Sequence, residues 1–175
     1  MAFKSVEVNL SLPFGVGGLK GVWEPDQSEQ TAAWEMYVEL ITRITMVEIG
    51  PSQGLLREAL DSLYSLFDTT RGILRQHGPS VARVKGQGSY SFGYLAVIIL
   101  NQVLRPVLAE WHPKLLDHES RRPTDVSQAD HEQAWAQNEE LRAVLREIRP
   151  TLEQYAELLG EVAGIPALWG SRRAD

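Results

Sequence analysis

The stretch AWAQNEELRAVLREIRPTLEQYAELLGEV, residues 134–162, decides the fold. Ala134, Asn138, Leu141, Leu145, Ile148, Leu152, Tyr155, Leu159 and Val162 recur at alternating spacings of four and three. That is an a/d heptad seam, whose clear polar member is Asn138 and whose Pro150 lies off the stripe. The pattern predicts one helix over 127–163, ended by Gly164 and Pro166, with a fraying tail over 164–175. A seam of this length has to be covered, either by the rest of the chain or by a second chain.

Moving outward, the period stays helical. Phe92 to Leu108 is apolar nearly all round, which marks a helix over 92–119 as the central element, bent about one turn before Pro106. Leu56, Leu60, Leu63, Phe67 and Leu74 predict a helix over 52–77, with Ser52 as its cap and Gly78-Pro79 as its stop. Asp26 and Glu29 have capping-box spacing and open a helix over 26–49, on which Glu39 and Arg43 pair at i,i+4. Upstream the period falls to two. Val6, Val8, Leu10 and Leu12 alternate with polar residues, and residues 1–25 read as a β-hairpin turned at Pro13–Gly18. The glycines between Gly15 and Gly21 sit between two apparent strands, so they are a turn and not a dinucleotide fingerprint. The fold class is mainly α, a single domain over 1–175: an antiparallel four-helix bundle with a short N-terminal hairpin.

Composition narrows the chemistry. With 175 residues and 43% apolar content, the chain can bury a true core without staples. It has no Cys, which removes disulfides, thiolate zinc sites and Cys nucleophiles. The formal charge of -6 argues against nucleic acid as a bulk partner. No signal peptide pattern opens the chain, and the longest apolar run is short for a bilayer, so a cytoplasmic protein is expected, away from membranes. Arg dominates the basic residues beside frequent Ala, Leu and Glu, a composition suggesting a bacterial source. Nothing in the pattern calls for a cofactor.

The charge is unevenly spread. Residues 127–161 hold eight acids and three Arg, whereas Thr69–Ala109 holds no acid and five bases. Within that basic stretch the connection 79–91 combines Arg83 and Lys85 with the backbone donors of Gly86 and Gly88, close to Arg75. Such a loop before a helix suits an anion or an acidic protein partner. The leading expectation is therefore a non-enzymatic interaction module: an adaptor or accessory subunit of a bacterial complex, such as a toxin or defence system. It would dock a protein partner, or a second copy forming a homodimer, through this loop or an exposed helix face.

Two constellations could carry other chemistry. Arg105 and His112 lie seven apart on one helix face, and Arg71 and His77 lie six apart on another helix. This spacing resembles the Arg…His signature of HEPN-type ribonucleases, helical bundles that usually dimerise to form their site. The resemblance implies metal-independent RNA cleavage, with His112 as general acid/base and Arg105 stabilising charge at the scissile phosphate. Pro106 and Gly72 stand where that family carries a polar residue after the Arg. The second constellation is Asp117-His118-Glu119 and Asp130-His131-Glu132, which flank one loop and so could meet in space. His118 and His131 would then be the metal candidates, by donor chemistry that suits zinc. A third function class is a small-ligand sensor, whose mark would be a cavity beside Asn101, Arg105 and Asn138.

Overall fold

The computed structural model describes residues 4–46, 50–83, 85–165 and 168. Strands β1 (Val6–Leu12) and β2 (Gly17–Trp23) form the antiparallel hairpin, with Val6 opposite Trp23. Val6, Val8 and Leu10 point inward and the residues between them outward, as a half-buried strand requires. A third strand that the sequence pattern did not reveal, β3 (Ser89–Tyr90), pairs parallel with the end of β2. Gly21 makes that possible, because a Cβ there would collide with the Gly88 carbonyl.

Among the described residues there are five helices: α1 (Gln27–Ile41), α2 (Leu56–His77), α3 (Phe92–Ser120), α4 (Gln128–Gln133) and α5 (Asn138–Ala163). The four-helix reading is corrected in three places. The expected helix 26–49 ends at Ile41, where the chain turns β-branched and Thr42 bonds back to the Val38 carbonyl; a short 3-10 turn follows at Ile44–Met46, and 47–49 lie outside the described residues. The expected helix 52–77 starts only at Leu56. The expected helix 127–163 is broken between Gln133 and Asn138, where the Asn138 amide bonds the Glu132 carbonyl and Trp135 turns in against Trp111 and His118. Most of the tail 164–175 lies outside the described residues.

The irregularity expected before Pro106 takes a definite form. Ile99–Leu104 is a π-helical turn inside α3, and the Arg105 N–H reaches back to the Leu100 carbonyl. Pro106 offers no N–H, so the wider turn re-satisfies carbonyls that an α-turn would leave unmatched. By length and composition α3 could cross a membrane, but 61% of its apolar window is buried inside the fold.

The heptad seam is used internally. Leu141, Ile148, Leu152, Tyr155, Leu159 and Val162 are all buried, and α5 packs along α1 and β1. Gly160 lets the α1 residue Tyr37 lie directly on the α5 backbone, since a Cβ would stand 3.2 Å from its ring. Six of the nine seam positions are thus covered by the chain itself, while Ala134 is exposed and Asn138 and Leu145 are half-buried.

One carboxylate ties the elements together. Glu29 is fully buried. It closes the capping box with Asp26, accepts from the Trp23 indole N–H at 3.1 Å and from the Phe92 backbone N–H at 3.1 Å, and pairs with Lys85. Glu29→Ala strands Lys85 beside three unmatched donors, and chemical denaturation should show a loss of about 3–5 kcal/mol. A second buried group acts the other way. The Tyr155 hydroxyl is buried with no partner, and burial pushes its ionisation well above the usual tyrosine range. A pKa raised by folding means stability is intact below the unfolded value of about 10 and is lost as pH rises beyond it. Tyr155→Phe should raise stability near neutral pH by about 1 kcal/mol and flatten the alkaline decline in a pH series of melts.

Candidate functional site

The basic loop does not have the form the sequence suggested. Lys85 donates to Glu29 and to the Glu24 carbonyl, so its charge is spent inside the fold. Gly86 and Gly88 take left-handed backbone angles (φ 116° and 76°), and the Gly88 carbonyl accepts from the Val22 N–H at 3.0 Å. The loop is thus docked on β2. Of the predicted anion-binding set, Arg75, Arg83, Gly86 and Gly88 remain exposed, and Lys85 does not.

The Arg/His residues separate. Arg71 pairs with Asp68 at 2.8 Å, and His77 contacts Glu35 at 3.1 Å, so those two do not share a site. Arg105 and His112 do line one cleft of about 220 Å³, together with Arg71, Tyr64 and Phe67. The Arg105 guanidinium lies 5.0 Å from the Phe67 ring centre, and its Nε donates to Asn101. His112 Nδ1 stands 2.5 Å from Arg57 Nη1. A guanidinium only donates, so Nδ1 is the acceptor and the proton sits on Nε2. The lone pair a general base needs is therefore occupied. Arg57 is held there by a two-bond clasp with Glu119 at 2.9 and 3.0 Å. Burial alone would lower the Arg57 pKa, but Glu119 and Asp61 outweigh it and leave it raised.

His118 and His131 meet, as the flanking-loop argument allows, but as a stack. Their rings are 3.9 Å apart and nearly parallel at 6°. Each Nε2 bonds the other residue's backbone carbonyl at 2.8 Å, so both Nε2 atoms carry protons. In-plane lone pairs of parallel rings do not converge on one ion, and no cluster of three metal-type donors occurs among the described residues. The acids beside them have separate tasks. Asp117 pairs with Arg121, Glu119 with Arg57, and Asp130 joins Ser127 in capping α4. Glu132 is buried and accepts from the backbone N–H groups of Leu56 at 2.6 Å and Arg57 at 3.4 Å. It caps α2 from 76 residues away, in place of the expected Ser52.

A cavity larger than the cleft of Arg105 and His112 lies elsewhere. A groove of about 540 Å³ runs between the segment leading into α2 and the outer side of α5. Leu55, Leu56, Ala59, Leu145, Ile148 and Leu152 give it an apolar floor. Arg142, Arg146 and Arg149, which are all the cations of the acidic 127–161 stretch, line it too. Arg146 pairs with Glu139 and Arg149 with Glu153. Arg142 is only 9% exposed; its Nε donates to Asn138 at 3.0 Å, and no carboxylate of the described residues pairs with it. The Thr45 hydroxyl, also on the groove, is buried without a partner. None of Asn101, Arg105 and Asn138, the residues expected beside a ligand cavity, lines this groove; Asn138 bonds Arg142, and Arg105 lines the smaller cleft. The signal that could have pointed here is the i, i+4, i+7 stripe of Arg142, Arg146 and Arg149 next to the seam.

Comparison with known protein families, curated proteins and solved structures finds no match for this chain. The site therefore has to be read from its own chemistry. Because Glu132 satisfies two N–H groups of α2, Glu132→Ala should lower the unfolding free energy by about 1–2 kcal/mol, whereas Ser52→Ala should leave the melting curve unchanged.

Proposed function

We propose that this protein is a non-enzymatic helical binding module whose ligand occupies the groove between α2 and α5. The observation that carries the reading is Arg142: a residue nine-tenths buried, lining a cavity, with no acidic partner among the described residues. Buried charges are ordinarily paired, because desolvation is not otherwise compensated. The groove volume lies within the range of about 300–1,000 Å³ common for organic ligands, and its mix of apolar floor and few polar groups is that of a recognition site. The loop-docking version of an adaptor role has weaker support, since Lys85 is committed to Glu29.

An amphiphilic anionic dye such as anilinonaphthalene sulfonate supplies a direct test. It should bind the folded protein saturably with one-to-one stoichiometry, and Leu145→Trp, which fills the groove from a half-buried position, should abolish that binding. Dye binding insensitive to Leu145→Trp would remove the groove from the reading. A ribonuclease reading retains one supporting observation, the shared cleft of Arg105 and His112. The binding-module reading requires that purified protein leave RNA intact. Cleavage that is lost in Arg105→Ala or His112→Ala would replace it.

A further inference from the structure

We infer that the groove ligand is a monocarboxylate with an extended apolar tail, its carboxylate clasped by Arg142. The inference rests on the binding-module reading and adds the chemical class of the ligand.

Charge decides the head. Three guanidinium groups line the groove, but Arg146 and Arg149 are matched by Glu139 and Glu153 at its rim. Among the described residues, the groove charge with no carboxylate paired to it is that of Arg142. A monoanion neutralises it, while a phosphate dianion would import an excess negative charge beside an already acidic helix. The Nε of Arg142 is anchored to Asn138, which leaves the two terminal amines for a ligand. Their planar fork matches the two oxygens of a carboxylate. The orphaned Thr45 hydroxyl adds a donor on the same groove.

Shape decides the tail. Arg142, Leu145, Ile148 and Leu152 follow one another along α5, so the lining extends about 15 Å from the guanidinium at the helical rise per residue. Leu55, Leu56 and Ala59 form the facing wall. An apolar floor that runs this far from Arg142, with Arg146 and Arg149 matched by their own carboxylates, has room for an extended unbranched chain. Burial of each methylene should tighten binding by about fourfold until the trough is filled.

Displacement of the bound dye by hexanoate, octanoate and decanoate tests this. Affinity should rise at each step, and decanol should bind at least about tenfold more weakly than decanoate. Arg142→Met should cost decanoate about ten- to hundredfold in affinity while raising the melting temperature of the unliganded protein, because it removes an unpaired buried charge. A residue with a merely structural role would lower that temperature instead. Arg142→Lys keeps the charge without the fork and should fall between. If the dye binds at the groove yet decanol competes as well as decanoate, or Arg142→Met leaves both affinities unchanged, the carboxylate assignment is wrong and the binding module stands. If the dye does not bind, or Leu145→Trp does not affect it, the groove reading itself fails.

Discussion

A carboxylate with no solvent exposure, Glu29, is the constraint on which the arrangement of elements depends. Burying an ion in an apolar interior is strongly unfavourable unless its lone pairs are matched. Here each oxygen has partners from different parts of the chain: the indole of Trp23 at the end of β2, the backbone of Asp26 at the start of α1, the ammonium of Lys85 and the first N–H of α3. The penalty for leaving any of these unmade is what fixes the hairpin against α1 and both against the start of the central helix. The positive end of α1 adds to the same balance. Hydrophobic burial alone would tolerate small slips between these elements; a buried ion with four matched directions does not.

This dependence also explains which parts of the fold are legible in the sequence. The alternation of β1, the Asp26–Glu29 capping box, the Glu39–Arg43 pair and the helical stripe from Leu141 onward are local patterns, and each takes the expected form. What is not legible is the meaning of a residue set by a partner far along the chain. Lys85 reads as a solvated loop cation because its partner lies 56 residues upstream. Ser52 reads as a cap because nothing local reveals Glu132, 76 residues away from Leu56. The break between α4 and α5 follows from Trp135 packing on Trp111 and His118, a contact across the α3–α4 connection.

The misplaced start of α2 has a direct consequence for the site. Had the helix begun at Ser52, its first turn would have coiled up the residues just before Leu56, which line the groove beside α5. Because Glu132 instead sets the first helical N–H at Leu56, residues 50–55 pass over α5 as irregular chain, and the groove remains between them. Sequence periodicity places Arg142, Arg146 and Arg149 beside the seam, but whether that flank is covered depends on where the opposite helix begins. The same residue types at Arg105 and His112 show the converse. Their spacing is legible and the cleft they share is real, yet the His112 lone pair is taken by Arg57, whose position is set by Glu119 on α3.

The net charge of -6 acquires a different sense from this arrangement. Many of the described cations have an acidic neighbour: Arg43 with Glu39, Arg57 with Glu119, Lys85 with Glu29, Arg121 with Asp117, Arg146 with Glu139. An acidic protein can match its cations easily, so an unmatched one in a buried position is not explained by scarcity of carboxylates. Glu139 and Glu153 sit on the same helix as Arg142 and pair with its neighbours instead. Folding alone gives no reason to keep a guanidinium at that position, where an apolar side chain of similar length would cover the same floor without the desolvation penalty. Departures from local consistency of this kind concentrate at functional sites, and among the described residues Arg142 is the buried cation with no carboxylate paired to it.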